Sequence, residues 1–334
     1  MPMRAMSNDK PRSVYAFLII LTAGLFTPGI MRPAIAQVTS DGTTNTVVNQ
    51  SGNNFNILNG IQKGKNLFHS FSNFSIPTGN TAIFNNAADV QNIFSRVTGG
   101  RVSNIDGLIK ANGSANLFLL NPSGIIFGAN AQLNIGGSFI GTTAESIKFS
   151  DGAEFNAINP QANPLLSINV PIGLQMGNNP APLAQPAFGI TVQGTGHRLS
   201  NPGGQPLVTQ NPSAIELRVQ PGKTLALVGG NLNLNGAMLT AKQGQVELGS
   251  LSGAGLVSLL PTAQGYTFGY EDGQKFGDIQ LTQRSLLDIS GVNAGSIQLR
   301  GRHIQFTDGS LVLARNLGNL PAATFAFRLQ RRLI

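Results

Sequence analysis

Residues 116–128 read Asn-Leu-Phe-Leu-Leu-Asn-Pro-Ser-Gly-Ile-Ile-Phe-Gly. Two apolar runs of strand character flank a four-residue corner, Asn121-Pro122-Ser123-Gly124. Proline suits the second position of a β-turn because its ring presets φ. Glycine accepts left-handed φ, and an asparagine can bond its side chain back onto the turn backbone. Leu119-Leu120 and Ile125-Ile126-Phe127 are then free to pack into a core on either side of the corner. The stretch therefore predicts strand, tight turn, strand, with both strands buried.

The same grammar extends along the chain. Short strands are expected at residues 45–48, 55–58, 66–76 and 82–84, where Gly, Asn and Ser interrupt nearly every helical period. Residues 66–76 approach period-two alternation, with Phe and Ile on one side, and Pro77-Thr78-Gly79 closes them. From about 160 to 212 prolines cluster. Residues 177–186 read as a projecting loop, flanked by strands at 165–174 and 188–192 that suggest a hairpin. Beyond Gln220 the form Gly-x-[Val/Ile]-x-Leu recurs at Gly244, Gly277 and Gly295, the last two 18 residues apart. Imperfect periods near 20 residues mark a β-solenoid, in which each coil rests on the one before. At that period some 250 residues give about a dozen coils, or roughly 55 Å of rod. A β-sandwich of similar strand density is the rival, weakened by poor hairpin signals.

The chain has 334 residues, of which 11% are charged and 41 are glycine, with neither cysteine nor tryptophan. Its start reads as a secretory signal. Arg4, Lys10 and Arg12 precede an apolar run, Val14 to Phe26, that is too short to span a bilayer comfortably. Ala34-Ile35-Ala36 then offers a small-x-small cleavage site, with Gln37 as the first mature residue. The absence of cysteine rules out a disulfide framework and a cysteine-linked lipid anchor. The formal charge of +8 is concentrated at the ends: residues 1–36 carry +3 and residues 328–334 carry +3, leaving +2 for 37–327. A nearly neutral body gives no nucleic-acid face despite the high isoelectric point. Residues 315–334 form an atypical basic tail, of which 325–334 are amphipathic and break the Gly/Asn punctuation, which suggests a truncated or frameshifted end.

Asn121-Pro122-Ser123-Gly124-Ile125 resembles the NPNGI motif of the filamentous haemagglutinin N-terminal domain, with Ser123 in place of the motif's second Asn. That domain is the secretion domain of two-partner secretion exoproteins. The resemblance continues, in order, through residues 64–71 (Gly-Lys-Asn-Leu-Phe-His-Ser-Phe), 95–100 (Ser-Arg-Val-Thr-Gly-Gly), 136–140 (Gly-Gly-Ser-Phe-Ile) and 219–230 (Val-Gln-Pro-Gly-Lys-Thr-Leu-Ala-Leu-Val-Gly-Gly). The family's second short motif, NPNL, has no literal counterpart. The resemblance implies an all-β protein, a right-handed parallel β-helix with an N-terminal cap and extra-helical β-hairpins, its secretion domain covering 37–314. It implies export by the Sec translocon and signal peptidase. Recognition by an Omp85-like outer-membrane pore and β-helix folding outside the cell would follow, giving a secreted or cell-surface adhesin-like product with a host-surface or glycan ligand. No cofactor is expected.

Chemistry is sparse in this sequence. His69, His197 and His303 are far apart and none has a ligand-spaced partner, so no metal site is expected. Gly222-Lys223-Thr224 lacks the upstream glycine of a P-loop. The enzyme alternative is a carbohydrate-active β-helix, a polysaccharide lyase or glycosidase, which needs clustered carboxylates and, for a lyase, a base. Glu271, Asp272 and Asp278, with Arg284 nearby, come closest, and read better as a solvated turn.

Overall fold

Strands of Val, Ile, Leu and Phe separated by Gly and Asn corners do stack in parallel. The computed structural model describes residue 1, residues 37–160, and residues 166–329 apart from 178–188, 201–207, 210–214, 264, 294 and 320–323. The expected signal segment, with Ala34 and Ala36, lies outside the described residues, as do Arg331 and Arg332. Among the described residues there is no helix.

The longest face stacks eight parallel strands. Asn66–Phe74, Asn92–Val97, Asn116–Leu120 and Phe139–Thr142 are followed by Thr224–Gly229, Gln245–Ser250, Ser296–Gly301 and Thr324–Leu329. Seven spacings of about 4.8 Å make this stack roughly 34 Å tall. A second face runs from Ser103–Ile105 through Ile125–Phe127, Ile190–Gln193, Leu232–Asn235 and Asp278–Thr282 to His303–Phe306. A third face is split. Asn54–Asn59, Thr81–Phe84, Leu108–Ala111 and Gln132–Asn134 form its early part. Leu217–Arg218, Met238–Thr240, Leu286–Asp288 and Leu311–Leu313 form its late part. One strand from each face makes a coil, so the architecture is a parallel β-helix.

Its first edge is closed by antiparallel strands. Val38–Ser40 and Ile61–Lys63 both pair with Asn66–Phe74, and Thr46–Ser51 pairs with Asn54–Asn59. Capping matters because an open parallel edge invites pairing with other chains.

The register shows why the repeat was misread from sequence. Uninterrupted coils advance by 26, 24, 22, 21 and 28 residues along the first face. The 18-residue offset is not a coil. Gly295 precedes a first-face strand, whereas Gly277 precedes a second-face strand. The true repeat pairs Gly244 with Gly295, stacked so closely that a Cβ on Gly295 would collide with the Gly244 carbonyl oxygen. Insertions also consume chain: one, between Gln193 and Leu217, carries the antiparallel pair Leu199–Ser200 and Val208–Thr209, and two longer excursions stand beside the helix. Both leave after a first-face strand, at residues 143–189 and 251–277, and both return on the second face. The dozen coils expected from length thus reduce to eight levels among the described residues.

The excursions build one antiparallel sheet. Glu154–Asn156, Ser146–Phe149 and Pro171–Met176 from the first join Gly255–Thr262 and Gly265–Tyr270 from the second. Residues 165–174 and 188–192 therefore do not pair with each other: Pro171–Met176 enters this sheet, while Ile190–Gln193 lies in the helix stack. Of the expected loop, 177–186, all but Gly177 lies outside the described residues.

The side sheet explains the absence of alternation in Asn-Leu-Phe-Leu-Leu. Leu67, Ile93, Leu117, Phe139, Leu225, Val246 and Ile297 point into the helix core. The row beside it, Phe68, Phe94, Phe118, Ile140 and Ala226, points outward into a second core with Phe149, Phe155, Leu174, Val257, Tyr266 and Phe268. The first face is buried on both sides, and parallel strands so covered lose period-two polarity. Within the strand at 66–74 the aromatics accordingly split, Phe71 and Phe74 inward and Phe68 outward.

Candidate functional site

The corner at 121–124 joins the first face to the second. Its turn closes with Gly124 N–H donating to the Asn121 carbonyl at 3.0 Å. The Asn121 side-chain oxygen accepts from Ser123 N–H at 2.9 Å, and Gly124 takes a φ of 113° that favours glycine. Asn121 itself is completely buried. Its Nδ2 donates to the Arg101 carbonyl and to Ser103 Oγ, both at 2.9 Å, in the coil below. Its backbone N–H donates upward to Thr142 O at 2.9 Å, and Ile125 N–H donates to Gly189 O at 3.1 Å. One asparagine therefore fixes its own turn and ties it to the coils on both sides. Pro122 and Ser123 are half-buried at the tip. Leu119 enters the helix core and Leu120 the outer one; after the corner Ile125 and Phe127 are buried while Ile126 is partly exposed.

The coil above this corner is where the first excursion departs, after Thr142, and the chain returns at Gly189 directly over Gly124 and Ile125. The corner thus forms the floor beneath the root of the side sheet.

A polar ladder starts the first-face strands. Asn92 Nδ2 donates to Asn66 Oδ1 at 3.0 Å, and Asn116 Nδ2 donates to Asn92 Oδ1 at 2.9 Å. Ser138 N–H then donates to Asn116 Oδ1, and Thr224 N–H to Ser138 Oγ. The first excursion caps the ladder: Asn66 Nδ2 donates to the carbonyls of Ser167 and Asn169. Each buried amide finds its partner in a neighbouring coil, as buried polar groups require.

Arg96, in the 95–100 stretch, is a clamp that the sequence did not reveal. It is buried yet reaches three segments: Ser70 Oγ in the coil below, Thr43 Oγ1 in the cap, and the carbonyls of Asn156 and Pro160 in the excursion. The guanidinium also lies 4.4 Å from the Phe155 ring centroid. Burial draws its pKa down to about 10 and nearby Asp41 opposes this, so it stays cationic at neutral pH. Burial pushes the Asp41 carboxyl up, but hydrogen bonds from Ser70, Thr43 and Thr98 hold it below its ordinary value. Arg96 could have been suspected only as a charge inside an apolar strand.

Two buried titratable groups flank this frame. His69 Nδ1 lies 3.0 Å from Thr46 Oγ1 in the cap, and burial lowers its pKa to about 4, which keeps the ring neutral. Glu247 falls in the outward row beneath the side sheet, fully buried. Burial raises its pKa to about 8, against hydrogen bonds from Tyr270 and Gln245; Tyr270 OH lies 2.5 Å from its Oε1.

The carboxylates of the enzyme alternative do not converge. Glu271 and Asp272 are exposed in a turn, and Arg284 is exposed in another. Asp278 instead pairs with Arg302 at 2.7 Å and His303 at 3.0 Å. His197 Nε2 bonds Gly309 O at 2.9 Å. Among the described residues no cluster of three or more His, Cys, Asp or Glu could hold a metal. What the arrangement does chemically is lock coil to coil.

The stretches that carry the resemblance all map onto first-face strands and their approaches, and residues 121–125 onto the corner leaving that face. A β-helix with stacked parallel faces, an antiparallel cap and a packed asparagine corner is the class this defines. The chain belongs to the TPS secretion domain family, whose profile matches residues 36–299. It is thus the TPS secretion domain of a two-partner secretion exoprotein, a family defined by secretion and not by a known enzyme class. Among solved structures it is similar to the HMW1 secretion domain from Haemophilus influenzae, at 15% identity and a TM-score of 0.45, covering 83% of this chain and 72% of that one. It is also similar to the filamentous hemagglutinin secretion domain, at 14% identity and a TM-score of 0.33, covering 87% and 99%. No curated protein sequence matches.

Proposed function

We propose that this domain is recognised by a cognate Omp85-like outer-membrane pore, threaded through it, and folded outside the cell, where its first coils nucleate the β-helix. The observation that carries this reading is the family match over residues 36–299, which includes the Asn121 corner. Sec-dependent export and cleavage between Ala36 and Gln37 precede the pore step. A secreted or surface-held product follows, with an adhesin-like role toward a host surface or glycan. Its work is to be exported and to template coils, without catalysis.

The supporting physics is additive. Each new coil pairs the exposed edge below it and buries another inward row, so folding outside the pore is downhill step by step. Secretion of residues 1–334 from a two-membrane host, with and without a co-expressed candidate pore, tests the reading. Mature protein beginning at Gln37 should reach the medium only with the pore. Retention of a folded product in the periplasm with every related pore would overturn it.

A further inference from the structure

The second excursion reaches across the helix far more widely than its length in sequence suggests. Tyr266 OH donates to Asn92 Oδ1 at 3.0 Å, across 174 residues of chain, and its ring packs on Phe118 at 5.3 Å between centroids. The Tyr266 backbone meets Thr224 Oγ1, Gln298 Nε2 donates to Phe268 O at 3.1 Å, and Tyr270 OH meets Glu247. One pair of strands, Gly255–Thr262 and Gly265–Tyr270, thereby hydrogen-bonds to four different first-face levels. Its other edge joins the first excursion by a single strand pairing, Gly173 to Met176 against Ser258 to Gly255.

Phe94, Phe118 and Ile140 of the outward row are delivered by residue 142, but Val257, Leu259, Tyr266, Phe268 and Phe276 of the outer core they join come only with residues 255–276. We propose that the strands Gly255–Thr262 and Gly265–Tyr270 form a strap that closes over an already assembled helix as a separate, late step. Before closure the outer core stands open and the edge of Pro171–Met176 is unpaired; closure seals both at once. The proposal deepens the export reading, since a chain emerging from its N-terminal end completes its early coils before its strap. It rests on that reading only for the order of emergence. The opening itself is a property of the purified domain.

The test uses the purified mature chain, residues 37–334, with no transporter, so its failure is distinct from failure of export. Native-state hydrogen exchange is read at the strands 92–97, 171–176 and 255–270. The strap predicts that 171–176 and 255–270 exchange together through one partial opening, while 92–97 exchanges only on global unfolding. Tyr266→Phe, which removes only the hydroxyl, should speed exchange in both strap-edge segments about fivefold and leave 92–97 unchanged. In the paired variant Gln175→Cys with Leu256→Cys, whose residues are directly opposite in the register, oxidation should abolish the opening and reduction restore it. Uniform exchange of all three segments at one global rate, or opening of 255–270 without 171–176, would overturn the strap.

Discussion

Asn121 fixes its own turn and holds the coil below through a single side chain. Its amide, itself fully buried, satisfies Arg101 O, Ser103 Oγ and Ser123 N–H at once. Asn121→Ala leaves all three without partners, at a cost of about 2–4 kcal/mol. Pro122→Ala changes only the stiffness of an outer turn position, at a cost of about 0.5–1 kcal/mol. We expect the denaturant midpoint to fall sharply for the first and slightly for the second, with export falling in the same order. Loss of export by Pro122→Ala at unchanged stability would mean the turn is read directly by the pore.

Glu247 carries the pH argument. Its folded pKa of about 8 stands above an unfolded value near 4.5, so its neutral form fits the fold. Its contribution is intact below pH 4.5 and is lost as pH rises through 8. Glu247→Gln keeps an acceptor for Tyr270 and removes the ionisation. That variant should match the parent at pH 4.5 and exceed it by a few kcal/mol, to order of magnitude, at pH 8. His69 acts oppositely: its folded pKa of about 4 lies below the ordinary 6.5, so stability present above 6.5 is lost as pH falls through 4. Urea melts of both proteins across pH 4–9 check the two signs, and a parallel pH dependence in Glu247→Gln would dismiss the assignment.

At the scale of elements, residues 116–128 were legible because their instructions are local. Proline, glycine and asparagine specify a corner whatever surrounds it, and the structure places strand, turn and strand there. The coil repeat was not legible, because Gly-x-[Val/Ile]-x-Leu describes any half-buried strand that follows a tight approach. Gly277 satisfies it on the second face, Gly244 and Gly295 on the first. Nor could Glu247 be recognised: in Gln-Val-Glu-Leu alternation puts it on the outer side, and only a sheet from elsewhere in the chain makes that side dry. Asn92 and Arg96 are likewise ordinary polar residues until the cap and excursions converge on them. Stacking of Gly295 on Gly244 gives a test of coil independence. A methyl group there meets backbone, which cannot yield as a side chain does. Gly295→Ala should strip hydrogen-exchange protection from 296–301 and 324–329 while 92–97 keeps its own, since each coil leans only on its neighbours. Equal loss at both ends would show one cooperative block.

For the whole molecule the decisive relation is between threading and long-range closure. The first face alone can grow in chain order, but the side sheet joins residue 175 to residue 256, so it exists only after about 80 intervening residues have been delivered. A chain without cysteine carries no covalent link across that gap. Gln175→Cys with Leu256→Cys supplies such a link in an oxidising periplasm. If the proposed pore admits one extended strand, the closed loop presents two at a time and export should stall. Reductant in the medium, or either cysteine alone, should restore export to the parent level. Equal export of the oxidised double variant would mean that the domain crosses in a compact form, and that the coils are assembled before the membrane is passed.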